Sequence, residues 1–269
     1  MTGLLVEKKG GVARVTLNRP DIRNAFDDAL IAQLHEAFSD VEKDRSVRVM
    51  ILAGNGPAFC AGGDLNWMRR MAGYSYEQNL ADALGLADML AALDRMSKPT
   101  IARVHGAAFA GGTGLVAACD IAVGTPEAKF CFSEAKLGLS PATISPHVMR
   151  AIGERAARRY FLTAEVFDAA EAERIGLLTL KVEKESLDKT IDDLVVHLLA
   201  GGPEALKKIK ELIRTVAGRA VDDALIAETA CCLRTQLIGT RAGRGTNQRV
   251  SKGTCAGRRT YQPAPGWRR

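Results

Sequence analysis

Two glycine-containing turns constrain the fold of this chain more than any other feature. The segments FCAGGDL, at Phe59–Leu65, and VHGAAFAGGTGLVAACD, at Val104–Asp120, each leave a strand-like stretch and lead towards helix-like sequence. Because glycine and alanine let a ligand approach the main chain, two such turns can direct backbone N–H groups at one carbonyl oxygen. One turn alone would favour an ordinary strand-to-helix loop. The pair favours chemistry on an acyl thioester or a similar carbonyl.

Hydrophobic periodicity predicts an alternation of strands and helices around these turns. Strands are predicted over residues 13–17, 47–53, 100–104, 121–123 and 129–132, and helices over 24–41, 76–93 and from Leu115 to Cys119. This order is typical of an α/β layer with parallel pairing. Beyond Ile144 the chain is predicted to be mostly helical, over residues 144–152, 168–175, 187–200 and 203–216. We therefore expect an α/β core followed by a C-terminal helical region.

The charge of the chain is unevenly distributed. Its 269 residues carry a net charge of +6, but nine Lys or Arg and no acidic residue lie in residues 234–269, which leaves −3 for residues 1–233. The main body therefore lacks the charge expected of a protein whose principal partner is nucleic acid. The end of the chain, rich in Gly, Arg, Thr and Pro, is predicted to be poorly ordered.

Several classes of protein are disfavoured by what the sequence lacks. It has no run of about 18 apolar residues and no apolar signal core near its start, so we expect a cytoplasmic protein without membrane association. It has no Walker A lysine and no G-x-G-x-x-G fingerprint, and we expect no cofactor. The cysteines show no C-x-x-C spacing, so we expect no metal site. They are predicted to be small buried residues, except Cys255.

Glu134 is the candidate acid–base residue. It follows the predicted strand 129–132, and burial between Phe132 and Leu137 would raise its pKa towards neutrality. A glutamate in such a position is otherwise commonly a surface or ion-paired residue. His105 directly precedes the second glycine turn and could line the same site. A serine or cysteine nucleophile in a G-x-S-x-G elbow is not present.

Five ordered segments resemble the crotonase, or enoyl-CoA hydratase/isomerase, superfamily. They are TLNRPDIRNAF from Thr16, FCAGGDL from Phe59, KPTIARVHGAAFAGG from Lys98, CDIAV from Cys119 and FSEAKLGLSP from Phe132. The resemblance implies a spiral of β-β-α units that binds a CoA thioester in residues 1–195. It implies a helical oligomerisation region in residues 196–236, giving a homotrimer or hexamer. Residues 237–269 depart from the family pattern and form the atypical basic tail.

The resemblance also implies roles for individual residues. The N–H groups of Gly63 and Gly111 would hold the thioester oxygen, and Glu134 would move the proton. The positions implied to contact substrate or CoA are Asp21, Ile22, Arg23, Ala61, Gly62, Asp64, Leu65, Gly112, Gly114, Pro141 and Ala142. Finer details, including Trp67-Met68, look most like bacterial methylglutaconyl-CoA and carboxygeranoyl-CoA hydratases.

One position departs from the pattern of the family's hydratases, which use two glutamates. Gly114 stands where the first glutamate would be. A substrate carboxylate or another side chain could replace it, the reaction could be a Δ3 to Δ2 double-bond shift that needs one base, or the chain could be catalytically weak. We rank hydration of a 2-enoyl-CoA first and isomerisation second. A non-enzymatic alternative is RNA binding through the basic tail.

Overall fold

The computed structural model describes residues 3–231, which fall into two compact units, one up to Pro203 and one from Glu204 onwards. The strands of the first unit are β1 (Leu4–Lys9), β2 (Val12–Leu17), β3 (Val49–Gly54), β4 (Thr100–Val104), β5 (Ala107–Phe109), β6 (Ile121–Gly124), β7 (Lys129–Cys131), β8 (Phe167–Asp168) and β9 (Leu180–Lys181). The larger sheet has the order β1-β2-β3-β4-β6-β9 and is parallel except for the β1–β2 pair. The smaller sheet has the order β5-β7-β8, with β5 and β7 parallel.

The helices of the described residues are α1 (Asp28–Lys43), α2 (Leu65–Met71), α3 (Tyr76–Arg95), α4 (Gly111–Ala118), α5 (Ser145–Thr163), α6 (Ala169–Arg174), α7 (Leu187–Ala200) and α8 (Pro203–Val216), and residues 223–231 are also helical. Short 3₁₀ turns cover Pro20–Ile22, Ser133–Leu137 and Lys184–Ser186. Polar side chains fix several of the starts. Asp27 accepts a hydrogen bond from Leu30 N, and Ser75 and Gln78 form a reciprocal capping box at α3.

Both faces of the larger sheet are buried at its central strands, which explains why those strands are apolar. On β3, Met50 and Leu52 face the main core, and Val49 and Ile51 face the opposite side. That opposite side is covered by α7, whose buried residues are Leu187, Ile191 and Val195. A parallel sheet buried on both faces reads as continuous apolar runs rather than as alternation. The fold therefore leaves the carboxyl ends of its strands, rather than a sheet face, for a site.

The predicted α/β order is confirmed, with local corrections. The strand at Thr100–Val104 and the helices at Leu187–Ala200 and Pro203–Val216 have the predicted bounds. The helix predicted from residue 24 begins at Asp28, because Asp27 is its cap. The segment 105–114, predicted as a loop leading to a helix at Leu115, instead contains β5 and the start of α4.

Further corrections concern the ends of elements and the cysteines. The helix predicted to end at residue 152 runs to Thr163, with a kink at Gly153, where φ is +74°. Cys60 and Cys131 are buried as predicted, whereas Cys119 and Cys231 are half-buried. The tail, residues 237–269, lies outside the described residues. None of the helices in residues 3–231 combines the length and apolar character needed to cross a bilayer.

Candidate active site

Parallel pairing brings the ends of three chain segments to one edge. Cys60 pairs with Ala108 of β5 in a parallel bridge, and Phe109 of β5 pairs with Cys131 of β7. Because the carboxyl ends of parallel segments lie on the same side, the residues that follow them are neighbours. The predicted catalytic positions are Gly63, Gly111 and Glu134, and each lies three residues after one of these paired residues. The structure therefore brings the predicted catalytic residues to a common edge.

The two glycine turns touch backbone to backbone. A Cβ added at Gly62, whose φ is +92°, would lie 3.0 Å from the carbonyl oxygen of Phe109 and 3.1 Å from Ala110 Cβ. A Cβ added at Gly112 would lie 2.4 Å from the carbonyl oxygen of Cys60. Only glycine allows this approach. These two glycines therefore hold the turns together, and their backbones are buried rather than open to a ligand.

The N–H groups of Gly63 and Gly111 are left without acceptors, for two different reasons. Phe26 N donates to Gly62 O at 2.9 Å, and Phe26 O accepts from Asp64 N at 2.9 Å. The N–H of Gly63, which lies between Gly62 and Asp64 in the chain, therefore points to the other side. Gly111 is the first residue of α4, where N–H groups have no partner in the helix. Within residues 3–231 neither group donates a hydrogen bond. Both can therefore serve a ligand oxygen.

Ala110 makes the sharp turn from β5 into α4. Its φ of +47° and ψ of −119° lie in a region that L-residues rarely adopt, and its N–H donates to Cys131 O at 2.8 Å. Such strain persists where the surroundings fix it, and it concentrates at functional sites. Sequence reasoning missed this residue. The only signal was an alanine before two glycines.

Glu134 lies at the start of the 3₁₀ turn that follows β7. Its Oε2 is buried and has no hydrogen-bond partner within the described residues. Burial raises the pKa of this carboxyl above its ordinary value, and a hydrogen bond from its own backbone opposes the rise. A buried carboxyl with an unsatisfied oxygen is suited to accepting a proton.

The positions that the resemblance assigned to CoA lie on two adjoining segments. Asp21, Ile22 and Arg23 are exposed on the first 3₁₀ turn, and Ala61 N donates to Arg23 O at 2.9 Å. This bond ties the exposed turn to the first glycine turn. The segment 21–23 is therefore held beside Ala61, with its side chains accessible.

Four other positions that the resemblance assigned to substrate or CoA differ in their exposure and hydrogen bonding. Asp64 caps α2, since its carboxylate accepts from Asn66 N at 2.8 Å and Trp67 N at 3.0 Å, while Leu65 is exposed. The oxygens of Pro141 and Ala142 accept from Ser145 at the start of α5, so their main chain is engaged in that turn.

Asn24 and His105 fix the loop that leads to the first glycine turn. Asn24, fully buried with a φ of +57°, donates from Nδ2 to the oxygens of Asn55 and Ala58, both at 2.8 Å. His105 Nε2 lies 2.8 Å from Gly56 O, to which it must donate. Sequence reasoning missed Asn24, and the contact of His105 is with this loop.

The fold of this chain is of a class seen in solved structures. A Legionella pneumophila protein provisionally described as an enoyl-CoA hydratase/isomerase (crotonase) has 43% sequence identity and a TM-score of 0.84, over 88% of this chain and 91% of that chain. The predicted crotonase-like fold is thereby confirmed.

Sequence comparison identifies the family. The family model described as enoyl-CoA hydratase/isomerase matches residues 7–237, and the chain belongs to this family of enzymes. A Clostridium acetobutylicum short-chain-enoyl-CoA hydratase is 31% identical over 231 residues, 85% of this chain and 87% of that protein. A Streptococcus mutans trans-2-decenoyl-[acyl-carrier-protein] isomerase is 29% identical over 212 residues, 78% of this chain and 81% of that protein.

Proposed function

We propose that this protein hydrates a 2-enoyl-CoA, with Glu134 as its acid–base residue. The observation that carries the proposal is the buried Oε2 of Glu134, which has no hydrogen-bond partner among residues 3–231, at the edge where the N–H groups of Gly63 and Gly111 find no acceptor among the same residues. The name of the Clostridium acetobutylicum relative supports hydration. A branched substrate such as 3-methylglutaconyl-CoA is the first to test, because Trp67-Met68 and two later segments, TISPHVMRAIGERAARRYFLTAE from Thr143 and FDAAEAERIGLL from Phe167, resemble hydratases of branched acids.

The proposed reaction needs one carboxylate and one water. Ionised Glu134 accepts a proton from water as the water oxygen bonds to the β-carbon of the substrate. The electron pair of the double bond then resides in an enolate, whose oxygen accepts hydrogen bonds from the N–H groups of Gly63 and Gly111. Glu134 returns the proton to the α-carbon and becomes a carboxylate again. Removing one donor of such a pair typically costs about 2.7 to 4 kcal/mol of barrier.

In this proposal CoA lies along the exposed turn 21–23 and the main chain of Ala61. The hydrogen bond from Ala61 N to Arg23 O keeps these two segments together, so one CoA can contact both. Arg23 is exposed and positively charged, which suits a phosphate of CoA. The protein requires no further cofactor for the reaction. We propose assembly as a homotrimer or as a hexamer.

Isomerisation of a 3-enoyl-CoA to a 2-enoyl-CoA is the second candidate. In that reaction Glu134 takes a proton from C2 and returns it to C4, and a second carboxylate is not needed. The specific observation in favour is that Gly114 supplies no side chain. The printed name of the Streptococcus mutans relative is that of an isomerase.

Mass measurement separates the candidates. Purified protein is incubated with a panel of 2-enoyl-CoA and 3-enoyl-CoA esters that includes 3-methylglutaconyl-CoA. A product heavier by one water supports hydration, and a 2-enoyl product of unchanged mass supports isomerisation.

The variant Glu134→Gln should lose about 10²- to 10⁴-fold in rate. The control Glu127→Gln changes an exposed residue at the other end of β7 and should keep the rate. Equal rates for both variants would refute the role of Glu134.

A further inference from the structure

The space beside Gly114 is already taken by another side chain. A Cβ added at Gly114 would lie 2.5 Å from Ile144 Cγ2 and 2.9 Å from Ile144 Cβ, which is closer than real Cβ atoms come to their neighbours. The next nearest atom to this added Cβ, Leu90 Cδ2, would lie at 3.8 Å. Ile144 is 2% exposed and belongs to the main core. The volume that a side chain at position 114 would need is therefore occupied by hydrocarbon side chains.

Neither backbone can easily move to make room. Gly114 N donates to Ala110 O, and Thr113 Oγ1 donates to Ala108 O at 2.7 Å, which anchors the first turn of α4 to β5. The oxygen of Ile144 accepts from the N–H groups of His147 and Val148, both at 3.1 Å, at the start of α5. Interiors packed in this way transmit strain rather than absorb it. The contact between Gly114 and Ile144 is therefore rigid.

We propose that Ile144 is a specificity-determining residue that excludes a second carboxylate from the site. Position 114 lies one helical turn after Gly111, on the helix whose N-terminus carries the proposed oxyanion donor. With Ile144 in place, the surroundings of position 114 are apolar and can neither hold a water nor transfer a proton. This inference rests on the proposed function, since it deepens the role of the same site. It implies that a carboxylate at position 114 requires two substitutions rather than one.

The steric part is tested by thermal unfolding. In a helix, Gly→Ala is ordinarily stabilising, yet Gly114→Ala should lower the melting temperature by roughly 5 °C because of the contact with Ile144. In a double-mutant cycle, Ile144→Ala should remove this penalty. The matched control is Ile152→Ala, a buried residue further along α5, which should leave the penalty unchanged. A Gly114→Ala variant as stable as the parent protein would overturn the proposal.

The specificity part is tested by activity. Gly114→Glu combined with Ile144→Ala should hydrate crotonyl-CoA at least about tenfold faster than Ile144→Ala alone, because a second acid–base group typically contributes that much or more. Gly114→Glu alone should give no such gain. A double variant that is rescued in stability but not in crotonyl-CoA hydration would overturn the specificity role. If the cycle shows coupling while none of the proteins, the parent included, acts on any enoyl-CoA, the proposed function has failed and the specificity role falls with it.

Discussion

At the scale of single residues, the burial that suits Glu134 to proton transfer also costs stability. Its pKa is raised in the folded protein, so the folded state binds the proton more tightly than the unfolded state, where the ordinary value is 4.5. The penalty is therefore absent well below pH 4.5, grows as the pH rises from 4.5 to the folded pKa, and is constant above it. Sites that need such groups commonly exchange stability for activity.

Glu134→Gln is accordingly expected to stabilise the protein at pH 7 to 8. The variant removes the cost of ionising a buried carboxyl, so its melting temperature should exceed that of the parent by a few degrees. Below pH 4.5 the two melting curves should coincide. Calorimetry across pH 4 to 8 checks this. A difference that stays constant over the whole range would show that the change in stability does not come from ionisation of Glu134.

At the scale of elements, α2 starts two residues after Gly63, and its cap Asp64 directly follows Gly63, so the start of α2 helps to fix the first glycine turn. The carboxylate of Asp64 satisfies two N–H groups of α2, and its loss should fray the first turn of that helix. Asp64→Ala should cost about 1 kcal/mol of stability. It should also lower kcat/KM for an enoyl-CoA, because Gly63 N–H is then less well fixed, whereas Asp64→Asn should retain most of both.

Ser75→Ala provides the matched control for this effect. Ser75 caps α3 in the same manner, through a hydrogen bond from Gln78 N at 3.3 Å, but α3 starts at neither of the two glycine turns of the candidate site. The variant should cost a comparable amount of stability and leave kcat/KM unchanged. Equal loss of kcat/KM in both variants would mean that stability alone, and not the position of Gly63, limits the activity.

The sequence predicted elements where a local pattern is strong. α7 has a long amphipathic run, and β4 begins directly after Pro99; the bounds of both were correct. β5 was missed because it has three residues and is held by pairing with Cys60 and β7, neither of which lies next to it in the sequence. The glycine turns were visible as composition. The contact between Gly114 and Ile144 was not, because it depends on the packing of α4 against α5.

At the scale of the whole molecule, its two compact units present different surfaces. In the first unit the central strands of the larger sheet are buried on both faces, and the candidate site lies at the strand ends. The second unit carries α8, whose apolar residues are partly exposed in the single chain. Their exposed fractions are 48% for Ile209, 37% for Leu212, 58% for Ile213 and 36% for Val216. Apolar residues grouped on one helix in this way indicate a contact surface.

The apolar surface of α8 is the candidate contact between subunits of the proposed trimer or hexamer. If α8 forms contacts between subunits, Ile209→Glu with Ile213→Glu should place charges in an apolar interface and shift the protein towards monomer. Lys207→Glu, a charge change at an exposed position of the same helix, should leave the assembly intact. Sedimentation equilibrium over a range of concentrations measures the mass. If the doubly substituted protein kept the mass of the parent oligomer, α8 would not be part of the interface, and if the parent protein were a monomer, the proposed assembly itself would be wrong.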